Sequence, residues 1–122
     1  MAKILVAEDS LTELQMIKDI LKDTSHEIIA AADGEEAEKK ARTESVDMII
    51  LDVIMPKKNG FQVCRDLRAD KKFAGLPIIM VSSKDQESDK AWGMKQGATE
   101  YLTKPFTPLD LILAVKKHVK KK

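Results

Sequence analysis

The sequence predicts a doubly wound α/β domain, in which helices cover both faces of a five-stranded parallel sheet. Short apolar runs alternate strictly with helical patterns across short loops, which is typical of right-handed strand–helix–strand crossovers. The run at 46–52 is continuously apolar between two aspartates, as expected for a strand buried on both faces. A chain of 122 residues is long enough for one hydrophobic core. We therefore expect one domain over residues 1–122.

Five apolar runs supply the predicted strands. Each is rich in Ile, Leu, Val, Ala or Met, or in the last case Tyr and Leu, and each ends at polar or turn-forming residues. The first, third, fourth and fifth of them end in, or are followed directly by, an acid, a hydroxyl or an amine. The predicted strands span 3–7, 26–32, 46–52, 76–81 and 100–103.

Capping signals place a helix after each strand. Ser10 and Glu13 have the spacing of a capping box, and Thr107-Pro108 combines a capping threonine with proline at the first helical position. Gly97 stands where the fourth helix needs a C-terminal cap. The predicted starts lie near Ser10, Asp33, Asn59, Asp85 and Thr107; the first, third and fourth helices are predicted to end near Lys22, Ala69 and Gln96.

The composition narrows the classes of partner and location. The formal net charge of +1 argues against nucleic acid or an anionic membrane as an obligatory partner. The five lysines and His118 within 116–122 are expected to form a solvated helix end. Without an apolar run of ~20 residues or a signal pattern, a cytoplasmic location is expected. Cys64 is predicted to be a core residue. Trp92 and Met94 are expected to be partial core residues or, alternatively, to enlarge a docking face with their apolar area.

Acids, a hydroxyl and an amine follow four of the predicted strands. The carboxyl ends of parallel strands meet at one edge of the sheet, so these groups should lie close together. Several neighbouring carboxylates need a proton, an ammonium or a cation, and all-oxygen ligands favour Mg²⁺ together with a phosphate. A carboxylate can attack a phosphoryl donor to form an acyl phosphate. Each residue alone could be a cap, but together they predict a phosphoryl site: Glu8, Asp9, Asp52, Ser82 and Lys104.

These pieces closely resemble the receiver domain of two-component response regulators, the CheY-like superfamily. The resemblance rests on 4–10, 49–56 with Asn59-Gly60, 77–82, Gly97-Ala98 and Lys104-Pro105-Phe106. It implies strand order 2-1-3-4-5. The chain has Glu8 where the family often has Asp, and Ser82 where it often has Thr.

The same resemblance implies the roles of the site residues. Asp52 would be the phosphoacceptor, Ser82 would bind the phosphoryl group and Lys104 would pair with it. Residues Ile54 and Lys84 would tune the lifetime of the phosphate. The implied Mg²⁺ ligands are Glu8, Asp9, Asp52 and the main-chain carbonyl of Ile54.

A switch and a set of partners are also implied by the resemblance. Phosphorylation would draw the Ser82 hydroxyl toward the phosphate and let Tyr101 swing inward, changing the face made by the fourth helix, fifth strand and fifth helix. A histidine kinase or phosphotransfer protein would act upstream and a target protein downstream, with no direct nucleic acid or membrane contact. The protein would be a stand-alone receiver, monomeric or dimeric on phosphorylation. Residues 91–97 resemble receivers of pilus and motility pathways.

Two other functions compete with this interpretation. An aspartate-nucleophile phosphohydrolase, which depends on Mg²⁺, would need a second acid two residues after the nucleophile, where this chain has Ile54. A flavin-binding module of the same fold would need a phosphate-cradling loop after the first strand, where Glu8 and Asp9 would repel the phosphate.

Overall fold

The computed structural model describes residues 2–119, and it confirms the predicted doubly wound α/β fold. Five parallel strands form one sheet in the order 2-1-3-4-5. The strands are β1 (Lys3–Ala7), β2 (Glu27–Ala31), β3 (Met48–Asp52), β4 (Ile78–Ser82) and β5 (Glu100–Thr103). The helices are α1 (Leu11–Leu21), α2 (Gly34–Thr43), α3 (Gly60–Arg68), α4 (Glu87–Gln96) and α5 (Pro108–His118).

Two hydrophobic clusters lie on opposite faces of the sheet. Side chains alternate along a strand, so Ile49 and Leu51 of β3 face the cluster formed with α2 and α3, while Met48 and Ile50 face α1 and α5. Cys64 is fully buried in the first cluster, as predicted. The core thus holds β3 rigidly from both sides, and Asp52 is the last residue of that strand.

Several boundaries differ from the predictions. Val46 and Asp47 lie before the first residue of β3. The Asp47 carboxylate accepts a hydrogen bond from the main-chain NH of Lys3. Helix α4 begins at Glu87 because Gln86, not Asp85, is its cap, in a capping box with Asp89. Short 3-10 turns at Lys22–Thr24 and Lys71–Phe73 were not predicted.

The large apolar residues of α4 are about half buried, and their part in a docking face stays a prediction. Trp92 and Met94 are 46% and 47% exposed, and the buried residues of this helix are Gly93 and Gln96. The lysines at 120–122 of the predicted solvated tail lie outside the described residues. Within residues 2–119, every helix is too short or too polar to cross a membrane.

Candidate functional site

Three strands deliver charged side chains to one point at the carboxyl edge of the sheet. Glu8 follows β1, Asp52 ends β3, and Lys104 follows β5. The Lys104 ammonium donates to Asp52 Oδ2 at 2.9 Å and to Glu8 Oε1 at 3.1 Å. The carboxylate side chains are nearly inaccessible, at 6% for Asp52 and 1% for Glu8. The sequence therefore correctly placed these three residues together.

The loop after β3 fixes the orientation of the Asp52 carboxylate. The main-chain NH of Ile54 donates to Asp52 Oδ1 at 3.1 Å, and the NH of Gly60 donates to the Val53 carbonyl at 2.8 Å. A β-carbon at Gly60 would lie 2.4 Å from the Asp52 carbonyl oxygen, so only glycine lets α3 start so close to the strand. One oxygen of Asp52 is thus held by the main chain and the other by Lys104.

Glu13, on the first turn of α1, is a site residue that the sequence analysis missed. Its carboxylate accepts from Lys104 at 2.9 Å. The predicted capping box is only half formed: Ser10 Oγ accepts from the Glu13 NH at 3.3 Å, but the Ser10 NH donates to Glu8 Oε2 at 3.0 Å. Glu8 has taken the capping role expected of Glu13, which leaves the Glu13 carboxylate for Lys104.

The acids that meet are therefore different from the predicted set. Carboxylate oxygens of Glu8, Glu13 and Asp52 lie within 4.8 Å of one another, and we call these three residues the acid cluster. Asp9, predicted to join Glu8 and Asp52, is exposed and lines the pocket above them. The roles of Asp9 and of the Ile54 main-chain carbonyl as metal ligands stay predictions.

Electrostatics in the acid cluster favours a compensating positive charge. Burial, together with the neighbouring Asp52 carboxylate, raises the pKa of Glu8 to about 7. Burial alone would lower the pKa of Lys104, but its hydrogen bonds to Glu13, Asp52 and Glu8 outweigh burial and raise that pKa. Lys104 is therefore charged at neutral pH, and one ammonium faces three acids.

A pocket of about 630 Å³ opens above Asp52. Its lining combines acidic side chains, apolar side chains and the Lys104 ammonium, so it offers a small anion a positive charge beside Asp52. The lining residues are Asp9, Glu13, Met16, Asp52, Ile54, Ser83, Lys104, Pro105 and Phe106.

The predicted switch residues Ser82 and Tyr101 are joined through the main chain of Lys84. The fully buried Ser82 accepts from the Lys84 NH at 3.0 Å, and the Tyr101 hydroxyl donates to the Lys84 carbonyl at 2.8 Å. The Tyr101 ring packs against Gly93 of α4, where a β-carbon would lie 2.9 Å from Tyr101 Cδ2. Burial raises the pKa of Tyr101, so its hydroxyl stays a donor at neutral pH.

Comparison with known proteins identifies the family. The family model described as "Response regulator receiver domain" matches residues 4–116. This chain belongs to the response regulator receiver domain family. It is 43% identical to the protein PilH of Pseudomonas aeruginosa, covering 94% of this chain and 95% of PilH.

Two further relatives show the range of proteins that this receiver domain resembles. The solved structure of the chemotaxis protein CheY4 of Vibrio cholerae superposes with a TM-score of 0.90 at 36% identity, covering 98% of this chain and 99% of CheY4. The alkaline phosphatase synthesis transcriptional regulatory protein PhoP of Bacillus subtilis is 44% identical over 93% of this chain, which spans only 47% of PhoP.

The residues of this receiver domain fit a hard divalent cation. The acid cluster supplies carboxylate oxygens within 4.8 Å of one another, which is the donor chemistry that Mg²⁺ prefers. A dication would also neutralise the negative charge that Lys104 alone leaves uncompensated.

Membership of the family also bears on the two competing functions. Receiver domains are signalling regulators rather than substrate-processing enzymes, and the family match covers nearly the whole described chain. A phosphohydrolase would carry its second acid at the position of Ile54. This isoleucine is 54% exposed and lines the pocket with an apolar side chain.

Proposed function

We propose that this receiver domain accepts a phosphoryl group on Asp52 from a histidine kinase or phosphotransfer protein, and that the modification changes which partner it binds. The observation that carries the proposal is the Asp52 carboxylate at the floor of an open pocket, 2.9 Å from the Lys104 ammonium and beside Glu8. Residues 1–122 act as one receiver unit in this proposal, supported by the family match over residues 4–116.

The residues divide the chemistry among them. An oxygen of Asp52 attacks the phosphorus atom as the bond to the donor histidine breaks, and the imidazole nitrogen keeps the electron pair and takes up a proton. Lys104, whose raised pKa keeps it protonated, offers its charge to a phosphoryl oxygen. Glu8, Asp9, Asp52 and the Ile54 carbonyl would hold Mg²⁺, which when bound neutralises charge on the phosphoryl oxygens. The protein performs this self-catalysed transfer and the later hydrolysis of the aspartyl phosphate, in which water takes the phosphoryl group as inorganic phosphate and the Asp52 carboxylate is restored, without turning over other substrates.

The switch is proposed to run from Ser82 to Tyr101. A Ser82 hydroxyl that turns to donate to the phosphoryl group gives up the Lys84 NH that it now holds at 3.0 Å. Lys84 also carries the carbonyl that accepts from Tyr101. Freeing this residue therefore changes the contacts of the tyrosine, whose ring packs on α4 through Gly93. The proposal is supported by this shared contact.

The readout is proposed to be the face made by α4, β5 and α5. Helices α4 and α5 both expose large apolar side chains, Trp92 and Met94 on α4 and Leu113 on α5, and exposed apolar area suits a protein target better than nucleic acid or a membrane. We place the protein in the cytoplasm with its kinase, as a monomer or a dimer formed on phosphorylation. The similarity to a chemotaxis protein, together with the resemblance of residues 91–97 to receivers of pilus and motility pathways, favours a role in motility or pilus control.

Beryllofluoride, a phosphoryl analogue, tests the proposal. Adding it with Mg²⁺ should shift the amide resonances of Ser82, Lys84 and Tyr101 and change the fluorescence of Trp92, which is half exposed on α4. Asp52→Asn removes the coordinating carboxylate oxygen with little change in volume and should abolish both responses. A wild-type spectrum that stays unchanged by beryllofluoride with Mg²⁺ would rule the proposal out. Pull-downs with and without beryllofluoride then search for the state-dependent partner.

A further inference from the structure

Glu13 is the member of the acid cluster that neither the sequence nor the family resemblance assigns to the phosphoryl site. It reaches the site from helix α1 rather than from a strand end, and its carboxylate lies 2.9 Å from the Lys104 ammonium. The same ammonium contacts Asp52 at 2.9 Å. Glu13 also lines the pocket in which the phosphoryl group is proposed to arrive.

Helix capping does not explain this placement of Glu13. In a complete capping box its carboxylate would accept from the main-chain NH of Ser10. That NH instead donates to Glu8 Oε2 at 3.0 Å. The Glu13 carboxylate is directed at Lys104, and 38% of its side chain is exposed toward the pocket and solvent.

The ammonium of Lys104 has too few donors to bind a phosphoryl group in addition to its three present acceptors. It has three donors, and in the structure they are shared among Glu8, Glu13 and Asp52. A phosphoryl group on Asp52 would need at least one of these donors. Glu8 and Asp52 are buried, whereas Glu13 is the most exposed of the three, so the Glu13 contact is the one that solvent can replace at the smallest cost.

We propose that Glu13 is a positioning residue that holds the Lys104 ammonium in the unphosphorylated protein and competes with the phosphoryl group for it. The contact keeps Lys104 over Asp52 while the site is empty of phosphate, and it is surrendered when the phosphoryl group arrives. This inference rests on the proposed function of Asp52. Its consequence is that Glu13 weakens, rather than strengthens, binding of a phosphoryl group.

The test is the affinity for beryllofluoride, measured by Trp92 fluorescence at Mg²⁺ concentrations shown to saturate each variant. Glu13→Gln keeps the size of the side chain but removes the competing anion. We expect it to bind beryllofluoride roughly three- to tenfold more tightly than wild type, in keeping with a partly exposed ion pair. A site residue that served only to build the pocket would bind the analogue more weakly when replaced.

Two matched variants separate the contact from the overall charge. Asp19→Asn removes one negative charge from an exposed position on the same helix and should leave the affinity within about twofold of wild type. Glu13→Asp keeps the charge but shortens the side chain by one methylene, so it should also bind beryllofluoride more tightly because the contact is lost.

The outcomes are distinguishable from failure of the proposed function. If wild type binds beryllofluoride but Glu13→Gln binds it equally or more weakly, Glu13 does not compete for Lys104. A wild-type affinity for Glu13→Asp would equally overturn the positioning role, because charge alone would then account for the change. If wild type does not bind the analogue at all, it is the proposed function of Asp52 that fails.

Discussion

Strands β3 and β4 are buried at every position, whereas β5 is only partly buried and the neighbouring α4 is mostly exposed. Asp52 is the last residue of β3 and so belongs to the first region, the buried strands β3 and β4. Tyr101, Trp92 and the proposed readout face belong to the second. Regions with little buried apolar surface open and rearrange at lower free energy than a packed core. The proposed chemistry at Asp52 therefore lies on the well-packed part of the fold, and the proposed readout face lies on the part that rearranges more easily.

Ser82 and Lys104 lie where the two regions meet. The main-chain NH of Lys104 donates to the Ser82 carbonyl at 2.8 Å, joining the ends of β4 and β5. The Ser82 hydroxyl accepts from the main-chain NH of Lys84, and the Lys104 ammonium donates to Asp52. In the proposed switch, these contacts connect Asp52 to β5 and α4.

The largest expected effect is on stability, and it contrasts the two regions directly. Ile50→Ala in β3 removes a fully buried side chain and should lower the free energy of unfolding by about 2–5 kcal/mol. Leu113→Ala in α5, where the leucine is 55% exposed, should change it by less than about 1 kcal/mol. Urea unfolding measures both. Similar losses for the two variants would contradict the contrast between the regions.

A smaller effect is expected from Glu8, whose pKa is raised to about 7 by burial. Between its ordinary pKa of 4.5 and about 7 the folded protein holds a proton that the unfolded chain has lost. The stability of the metal-free protein should therefore fall as pH rises through this window, by about 1–3 kcal/mol from this group.

Glu8→Gln tests this assignment because it removes the titrating group and keeps the size of the side chain. Urea unfolding in EDTA at pH 5.5 and pH 8 should show a smaller loss on raising the pH for the variant than for wild type. Mg²⁺ should recover part of the wild-type loss at pH 8 because it binds the folded form. Equal pH dependence in the two proteins would show that Glu8 does not titrate in this range.

The smallest expected effect concerns the contact between α4 and β5. Gly93→Ala would place a methyl group 2.9 Å from Tyr101 Cδ2 and 3.0 Å from Met80 Sδ. Overpacking costs about 1–3 kcal/mol and the gain in helix propensity returns about 1 kcal/mol, so a net loss of roughly 1 kcal/mol is expected. The ring resonances of Tyr101 should shift as well. The exposed Ser88→Ala on the same helix is the control and should change neither quantity appreciably.

The sequence predicted the fold and most of the site because both follow from the strands. Continuous apolar runs specify buried parallel strands, and parallel strands bring their ends together, so Glu8, Asp52 and Lys104 were predicted to meet. It assigned both Glu8 and Asp9 to the site, whereas only Glu8 belongs to the acid cluster, because adjacent side chains at a strand end point in opposite directions. Glu13 was missed because its reach to Lys104 depends on how α1 packs, which no local pattern encodes.

The half exposure of the large apolar residues of α4 has a geometric cause. Successive residues of a helix are about 100° apart, so Trp92 and Met94 flank Gly93, the residue that faces Tyr101. Their apolar character predicted burial, but the small residue between them makes the contact with the sheet. Two large side chains were thereby left partly exposed, one on either side of Gly93.

Phosphorylation of Asp52 is the most direct test of the central claim. Wild type and Asp52→Asn should be treated with a small-molecule phosphodonor such as acetyl phosphate, with Mg²⁺ and with EDTA, and examined by intact-protein mass spectrometry followed by peptide mapping. We expect wild type to carry one phosphoryl group, located at Asp52 and dependent on Mg²⁺. Asp52→Asn should remain folded and carry none at this site. A wild-type protein that stays unmodified, or a phosphoryl group placed on another residue, would contradict the central claim.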